Sequence, residues 1–570
     1  MKRSFLMMVA VLIPVMLFAQ AASKLAPELQ HAAGNQAVAV IVQYKSVPPQ
    51  IQQSIIWLRN GMVTSQLPVI NSLQAVVPGG SLAALSADSR VAYVSPDRPV
   101  RGHLNNAAPA ILANYAWGIG LDGTALGIAV IDSGIHEVND VARPTGGSRV
   151  AASYDYTGEG ADDAYGHGTH VAGIVGGNGA DSTCATCNVT VKGIAPNVNL
   201  ISFKILNSQG LGSESAVIQA IQAAIHLKVT YNIRVMNLSL GHAIYESYKQ
   251  DPLCQAVEQA WKAGIVVVVS AGNGGRDNSA GTAGYGTIES PGNDPYVITV
   301  GASNSKGTPD RGDDVMTSYS AKGPTAIDHI VKPDIVAPGN RVVSLAAPAI
   351  LEAQNPQNEI PLSYYRFDGT ADPSPSYFVL SGTSMAAGMV SGAVALMVEQ
   401  DPSLTPDQIK ARLIKTAYKG LPRYTTVIEG GATYNLQADA FTVGAGFLDI
   451  QAALMNKDKT SAIAKSPAAT FDSASGNVYF VADMQTPWGQ AAYWNRFPGV
   501  TPVMTWDPST VWGPAEFVSG APVGGNSAMW GSSAMWGNSA MWGNSAMWGN
   551  SAMWGNSAMW GNQVLVDGDN

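Results

Sequence analysis

The sequence predicts an α/β protein: a main domain on a mainly parallel sheet with helices on both faces, preceded by a small α+β domain and followed by a low-complexity tail. Between residues 105 and 457, short apolar runs alternate with longer helical patterns. The runs Ala125–Asp132 and Ile265–Val269 lack polar alternation, which is typical of strands buried on both faces of a parallel sheet. The pattern Ser215–Val229 has helical periodicity.

Length and charge set limits on the class of protein. The chain has 570 residues, of which 46% are hydrophobic. It is longer than one compact domain usually is, so several units are expected. The formal net charge is -9 and only 13% of residues are charged. A basic surface for a phosphate backbone is therefore not expected, and neither is a nucleic acid partner.

The first 21 residues have the pattern of an export signal. Lys2 and Arg3 precede an apolar run, Phe5–Phe18, and the triplet Ala19–Ala21 is an A-x-A cleavage site. A membrane anchor is the weaker alternative, because the run is shorter than the roughly 20 apolar residues that span a bilayer. We therefore expect a secreted, extracellular protein, with attachment to the cell surface left open.

The remaining chain divides by composition into four parts. Residues 22–104 alternate strand-like and helix-like patterns, as in a small α+β domain, and residues 105–457 form the main domain, in which the Pro-rich stretch Ala346–Ser376 predicts a surface loop. Residues 458–525 are a Gly/Trp-rich extension, and residues 526–561 repeat the hexapeptide N-S-A-M-W-G.

The chain has only three cysteines, so disulfides do not hold the whole fold together. Cys184 and Cys187 form C-A-T-C in a polar loop. We favour a small loop disulfide over a redox pair or half of a metal site. Cys254 falls in a predicted helix, Asp251–Ala263, and is expected to be a buried, inert thiol.

Four short stretches carry the components of nucleophilic acyl transfer. Asp132 ends an apolar strand in A-V-I-D-S-G, His167 lies among small residues in Y-G-H-G-T-H, and Ser384 opens a helix in S-G-T-S-M-A. A serine hydroxyl needs a base to take its proton and an acid to orient that base. Asn273, just past a buried strand, can donate a hydrogen bond to an oxyanion.

The motifs D-S-G, H-G-T-H and G-T-S-M-A, in this order, resemble those of the subtilisin-like serine peptidases, or subtilases, from about Trp117 to Ala453. The resemblance implies the three-layer subtilisin-like fold and a serine endopeptidase acting through an acyl-enzyme. By it, Asp132 orients His167, His167 is the general base and then acid, Ser384 is the nucleophile, and Asn273 helps to form the oxyanion hole.

The resemblance also implies a substrate groove that takes an extended peptide as an added strand. Its expected residues are Ser239, Leu240, Gly241, Ala271 and Gly272. Glu289 aligns with the floor of the pocket for the residue before the scissile bond, the P1 residue. We hypothesise that P1 is Lys or Arg; in the alternative, Glu289 points to solvent.

The chemistry requires no cofactor, and no metal ligand is assigned. The loop Gly177–Lys192 lies where many subtilases hold calcium, but it carries only one carboxylate, Asp181. A structural calcium ion is therefore possible in this loop but is not assigned. Zinc catalysis is discounted, because the pair His167 and His170 lacks the Glu of the helical zinc-protease pattern. This chain has Gly388 and Met389 where the family commonly has Pro and His. The difference changes none of the expected catalytic residues.

The domain at 22–104 resembles the subtilase propeptide, a folding chaperone and intramolecular inhibitor. Cleavage between about Val100 and Asn106 would release a mature enzyme, which we expect to be a monomer acting on protein or peptide substrates. An unrelated accessory domain is the alternative reading.

The Trp repeats support a second class of hypothesis, a binding protein that retains a peptidase body. A six-residue period places every Trp on one face of a strand, where the row could bind a surface or carbohydrate. The alternative, which we slightly favour, is a flexible or self-associating tail that is trimmed off.

Overall fold

The computed structural model describes residues 24–26, 29, 34–96, 104–279, 281–461, 463–472, 477–481, 503–505, 559–560 and 568–569. Two compact units make up the chain, residues 1–100 and 101–570. The predicted export signal, most of the predicted cleavage region at 100–106 and the hexapeptide repeats other than 559–560 lie outside the described residues.

The first unit contains a four-stranded antiparallel sheet in the order β2-β3-β1-β4. Its elements are β1 (Ala37–Tyr44), α1 (Pro49–Trp57), β2 (Met62–Leu67), β3 (Ser72–Pro78), α2 (Leu82–Ala87) and β4 (Val91–Pro96). Alternate residues of β1, including Val40 and Val42, are buried, so one face of the sheet packs on an apolar core of its own.

The second unit contains the long α/β pattern that the sequence predicts. Its elements up to the end of the main sheet are α3 (Leu104–Ala110), α4 (Ala113–Gly118), β5 (Gly127–Asp132), β6 (Val150–Asp155), α5 (His167–Gly176), β7 (Asn199–Lys204), β8 (Leu211–Gly212), α6 (Glu214–His226), α7 (Lys228–Tyr231), β9 (Ile233–Leu238), α8 (Pro252–Lys262), β10 (Val266–Ser270), β11 (Ile298–Asn304), β12 (Val315–Met316) and β13 (Ile335–Pro338).

The later elements of this unit extend and cover the sheet. They are β14 (Val342–Leu345), α9 (Ile350–Gln354), β15 (Glu359–Pro361), β16 (Pro373–Leu380), α10 (Thr383–Gln400), α11 (Pro406–Thr416), β17 (Tyr424–Glu429), β18 (Ala432–Gln437), α12 (Ile450–Met455), β19 (Ala468–Asp472), β20 (Asn477–Val481), β21 (Val503–Thr505) and β22 (Met559–Trp560).

The main sheet runs β12-β11-β10-β9-β5-β7-β6, with β13 also paired to β11. Every pairing in it is parallel except that of the edge strand β12. All residues of β5 and β10 are buried, as expected for strands covered on both faces. The predicted α/β fold with a mainly parallel sheet and packed helices is confirmed.

Two pairs of helices pack on this sheet, α5 with α10 and α6 with α8. Helix α10 is buried along almost its whole length and contacts β9, β10 and β11, so it is the central helix of the core. Gly388 of α10 faces Val171 of α5, and Gly392 faces Val175, so the two helices run in the same direction. Their first residues, Thr383 and His167, therefore lie at the same end of the helix pair. Among the described residues, no helix has both the length and the apolar character needed to cross a membrane.

The predicted state of all three cysteines is confirmed. Cys184 and Cys187 form a disulfide with their Cα atoms 4.9 Å apart. Cys254 lies buried in α8 as a free thiol, and burial raises its pKa far above the ordinary value, which keeps it unreactive.

Candidate active site

Asp132 and His167 form a buried, hydrogen-bonded pair. Asp132 is the last residue of β5, and its Oδ1 lies 2.7 Å from Nδ1 of His167, the first residue of α5. Asp132 Oδ1 also accepts the Ser133 backbone N–H at 2.8 Å. The imidazole is 2% exposed and the carboxylate 0%. This contact fixes the ring and directs its other nitrogen away from the carboxylate.

The surroundings of His167 adjust its basicity in opposite directions. Burial alone would lower the pKa, but the charge and hydrogen bond of Asp132, with further help from Asp163 and Glu352, raise it above the ordinary value. A histidine held in this way accepts a proton more readily than a free imidazole.

A second buried carboxylate, Asp163, shapes the loop that leads into α5. It accepts the Gly166 N–H at 2.7 Å and both the N–H and the hydroxyl of Thr169, at 2.8 and 2.7 Å. These bonds hold the first turn of α5, and with it the backbone of His167. Asp163 was not predicted from the sequence, because no local motif marks its role.

Ser384 is the second residue of α10 and is 8% exposed. In this structure its hydroxyl donates to the backbone oxygen of Ser239 at 3.3 Å, while the Ser239 hydroxyl donates to the backbone oxygen of Ser384 at 3.1 Å. The nucleophile candidate thus packs against Ser239, a predicted groove residue that directly follows β9. Rotation about the Cα–Cβ bond of Ser384 is the movement that turns its hydroxyl elsewhere.

Asn273 follows β10 and is oriented by the residue before Ser384. Its side-chain oxygen accepts the backbone N–H of Thr383 at 3.0 Å and the Thr383 hydroxyl at 3.2 Å. Because the oxygen is engaged there, the amide NH₂ is directed the other way, and it lies 3.3 Å from the place a Cβ on Gly382 would occupy. Thr383 is therefore a positioning residue that the sequence analysis missed.

The Glu289 side chain lies between Gly241 and Gly272, two residues of the predicted substrate groove. A Cβ on Gly241 would fall 2.8 Å from its Oε2, and one on Gly272, whose φ is +103°, would fall 2.8 Å from its Cδ. The Glu289 backbone N–H donates to the oxygen of Ala271 at 3.1 Å. The side chain is enclosed but keeps partial access to solvent, and burial raises its pKa to about 7.

The other histidine of the motif, His170, has a structural role. Its Nε2 lies 3.1 Å from the backbone oxygen of Val342 and 3.2 Å from that of Phe378. Burial lowers the pKa of His170 to about 3, so the ring is neutral and donates to these carbonyls. It joins α5 to the sheet of β14, β15 and β16 and does not pair with His167 as a metal ligand.

Protein donors engage carboxylates in and next to the loop at 177–192, where a structural calcium ion was an expectation. The Asp181 carboxylate accepts from the Asn139 side chain, and its backbone N–H donates to the Asp140 carboxylate, each at 2.7 Å. Asp140 also accepts the Tyr377 hydroxyl at 2.9 Å, and burial raises its pKa to about 6. Protein donors thus engage these oxygens, whereas Ca²⁺ takes six to eight oxygen ligands.

Glu214, His242 and Asp251 form another group of side chains with metal-ligand chemistry, since one ligand atom from each lies within 4.8 Å of the others. Asp251, however, caps α8: its Oδ1 accepts the N–H groups of Leu253 and Cys254, and its Oδ2 accepts the Ser290 hydroxyl. That carboxylate is committed to the protein itself.

The arrangement combines an acid–base pair, a hydroxyl at a helix N-terminus and an amide aimed past Gly382. Asp132 with His167, and Ser384 with Ser239, are in direct contact. Free N–H groups at the start of a helix favour developing negative charge, so the site is chemically suited to acyl transfer. Glu352 is a further residue that sequence reasoning missed: its carboxylate lies 2.4 Å from the place of a Cβ on Gly166, and burial raises its pKa to about 7.

Comparisons with known proteins find serine proteases that are similar to this chain. Serine protease AprX of Bacillus subtilis (strain 168) is 35% identical over 370 residues, which cover 62% of this chain and 76% of AprX. Subtilisin DY of Bacillus licheniformis is 32% identical over 347 residues, covering 60% of this chain and 96% of its own. A crystal structure of a cold adapted subtilisin-like serine proteinase matches with 27% identity and a TM-score of 0.37, over 52% of this chain and 84% of that one.

The sequence model of the subtilase family, peptidase S8, matches residues 123–446. This range contains Asp132, His167, Asn273 and Ser384 together. The chain belongs to the subtilase family and is a serine-type endopeptidase.

Proposed function

We propose that the protein hydrolyses peptide bonds of proteins through a triad of Asp132, His167 and Ser384 and a covalent acyl-enzyme. The observation that carries this proposal is the buried 2.7 Å contact between Asp132 Oδ1 and His167 Nδ1, at the end of β5 and the start of α5. It leaves Nε2 of the imidazole as the nitrogen that can act on the Ser384 hydroxyl.

In acylation, the Ser384 hydroxyl turns from the Ser239 carbonyl and gives its proton to His167 Nε2 as Oγ attacks the substrate carbonyl carbon. The resulting oxyanion accepts hydrogen bonds from the Asn273 amide and from the backbone N–H of Ser384. The C–N bond then breaks, and His167 passes the same proton to the leaving amine. The contact of Asn273 with Thr383 prepares its amide for this task.

Deacylation repeats these steps with water as the nucleophile. His167 takes a proton from the water as its oxygen attacks the ester carbonyl, and the oxyanion occupies the same place. Collapse of the intermediate releases the carboxylic acid, and His167 returns the proton to Ser384 Oγ. The Asp132 carboxylate stabilises the imidazolium in both halves of the reaction.

Labelling with a fluorophosphonate tests this proposal directly. The processed wild-type protein is expected to form a covalent adduct on the peptide that contains Ser384, and Ser384→Ala is expected to form none. Failure of the folded, processed protein to label would overturn the proposal and favour the alternative that its main function is binding through the Trp repeats.

The pocket at Glu289 supports a preference for Lys or Arg at P1. Gly241 and Gly272 leave its walls without side chains, and the Glu289 carboxylate lies between them. A guanidinium entering the pocket would meet a carboxylate in partly desolvated surroundings, where such a pair is strong. A bound cation would also lower the pKa of Glu289 and keep it ionised.

We further propose that the protein is exported and matures from a zymogen, with residues 22–104 as its inhibitory propeptide and cleavage between about Val100 and Asn106. The experiment is N-terminal and intact-mass analysis of the secreted wild type beside Ser384→Ala. Wild type is expected to begin near this junction and Ser384→Ala to keep the segment. Identical processing of both would exclude self-cleavage.

A further inference from the structure

Asp569, which follows the Trp-rich repeats in the sequence, lies in a polar pocket of the unit 101–570. It is 1% exposed. Its carboxylate contacts the Arg276 guanidinium at 2.7 Å, the backbone N–H of Ser318 at 2.6 Å and the Ser318 hydroxyl at 2.5 Å. A carboxylate can be buried so fully only where charge and hydrogen bonds replace its hydration, and this pocket provides both.

The backbone of Asp569 is recognised as well as its side chain. Its N–H donates to the side-chain oxygen of Asn340, and its carbonyl accepts the side-chain NH₂ of the same Asn340, each at 2.7 Å. Arg276 makes a further, longer contact with the carbonyl oxygen of Gly568 at 3.4 Å. An asparagine paired to both main-chain groups of one residue binds that residue as a neighbouring strand would.

The pocket is held in shape by contacts that do not involve Asp569. Arg276 Nε donates to the Ser318 hydroxyl at 2.7 Å, and the guanidinium stacks near the rings of Tyr319 and Tyr434, with its carbon 5.8 and 5.5 Å from their centroids. A guanidinium fixed in this way loses little freedom on binding a carboxylate, which favours specific recognition.

The position before Asp569 accepts only glycine. Gly568 has φ +55°, and a Cβ there would lie 2.3 Å from the Ser381 hydroxyl and 2.4 Å from the Asn340 side-chain oxygen. Both the left-handed backbone and the lack of space exclude a side chain. The pocket is therefore specific for the dipeptide Gly-Asp and does not simply bind a negative charge.

We propose that Arg276, Ser318 and Asn340 form a recognition site for a Gly-Asp segment, and that its ligand is Gly568–Asp569 of the same chain. The site anchors the segment that follows the repeats to the catalytic unit. A second contact of the same stretch agrees with this: Met559–Trp560, in the last repeat, pairs antiparallel with β8.

The site adjoins the candidate catalytic residues along the chain. Arg276 ends the short turn that begins after Asn273, and Ser381, which abuts Gly568, is three residues before Ser384. The anchor therefore lies against the same two loops that carry the oxyanion-hole amide and the nucleophile.

Hydrogen exchange of the full-length Ser384→Ala chain tests the anchor. The Ser318 N–H, which Asp569 accepts, is expected to exchange about tenfold faster or more in the additional variant Asp569→Ala. Asp567→Ala removes the same charge two residues away and is expected to leave the Ser318 exchange rate unchanged. Equal exchange rates in the parent and Asp569→Ala, or equal acceleration by Asp567→Ala, would overturn the proposal.

A binding experiment tests the ligand class separately. A fluorescein-labelled peptide with the sequence of residues 564–570 is added to the Asp569→Ala, Ser384→Ala chain, whose own ligand is removed. This peptide is expected to bind at least about tenfold more tightly than a control peptide with Asn in place of the second Asp. It is also expected to bind this variant more tightly than it binds the Ser384→Ala parent, whose own Asp569 occupies the site. Equal binding of the two peptides, or unchanged binding after Arg276→Gln, would refute recognition of Gly-Asp at this site.

Discussion

At the scale of single residues, the sequence was informative where chemistry is encoded in a short motif. Asp132, His167, Asn273 and Ser384 were predicted because each stands in a stretch of small residues at a strand end or helix start. Their partners were not predictable in this way. Thr383 orients Asn273 across more than 100 positions of sequence, and such a contact depends on how loops meet in the fold.

The first prediction concerns the acidic limb of the pH–activity profile. In the proposed mechanism only neutral His167 acts as the base, so its raised pKa is expected to place this limb above the ordinary histidine value. Asp132→Asn removes the charge that stabilises the imidazolium, so the limb should move to lower pH while kcat falls about 10³- to 10⁴-fold. The measurement is kcat/KM between pH 5 and 9. Asp372→Asn, an exposed carboxylate, is the control, and an unmoved limb in Asp132→Asn would contradict the argument.

The second prediction concerns Glu289 and the P1 residue. Burial raises the pKa of Glu289 to about 7, so its carboxylate gains charge as the pH rises through neutrality. The ratio of kcat/KM for matched Arg and Phe peptides should therefore increase between pH 6 and 8 in wild type. In Glu289→Gln the ratio should be lower and constant with pH.

Because protonation of His167 affects both peptides equally, this ratio isolates the pocket from the catalytic base. Equal cleavage of the Arg and Phe peptides by wild type and by Glu289→Gln would show that Glu289 does not select the P1 residue.

At the scale of secondary structure elements, local patterns located helices better than loops. The sequence predicts a helix over Asp251–Ala263, and α8 spans Pro252–Lys262. The Pro-rich stretch Ala346–Ser376 was predicted as a loop but contains α9, β15 and part of β16. Strand β16 forms by pairing with β14, which precedes the stretch, and β15 pairs with β16. Pairings between separate segments leave little trace in local composition.

The third prediction concerns the start of α11. The Thr405 hydroxyl accepts the Gln408 N–H at 3.2 Å, while the Gln408 side chain accepts the Thr405 N–H at 3.1 Å, which completes a capping box. Thr405→Ala should lower the stability of the 101–570 unit by about 1 kcal/mol. Thr405→Ser keeps the hydroxyl and should retain most of it. Urea unfolding in the Ser384→Ala background measures both, and equal losses would show that the hydroxyl is not the cause.

At the scale of the whole molecule, one buried charge cluster connects parts of the chain that are far apart. Asp334, just before β13, lies 2.7 Å from Lys332 Nζ and 3.2 Å from Lys410 Nζ of α11, and it also accepts the hydroxyl of Ser466. The three charged side chains are 0% exposed. Composition could not predict this cluster, since charges are rarely buried and their partners here come from separate elements.

The last prediction follows from the direction in which the pKa of Asp334 is shifted. Burial would raise the pKa of Asp334, but the two lysine ammonium groups hold it below the ordinary value. A carboxyl group with a lower pKa in the folded state stabilises the fold above the unfolded-state pKa of about 4, and this contribution is lost as the pH falls through the folded-state pKa. Asp334→Asn leaves Lys332 and Lys410 buried without their counter-charge, and Lys410, whose pKa burial lowers to about 7, can then lose its proton. At pH 7 the substitution should therefore destabilise the 101–570 unit by about 3 kcal/mol, the lower end of the range for a broken buried ion pair.

Urea unfolding of the Ser384→Ala chain with and without Asp334→Asn, at pH 7 and near pH 3, measures this effect. The difference should be large at pH 7 and smaller near pH 3, because below the unfolded-state pKa of about 4 the unfolded parent chain binds a proton at Asp334 that the folded chain does not, which lowers the stability of the parent. Asp372→Asn, at an exposed carboxylate, should change stability by less than about 0.5 kcal/mol. A loss in Asp334→Asn that is equal at both pH values would mean that Asp334 acts through its shape and hydrogen bonds and not through its charge.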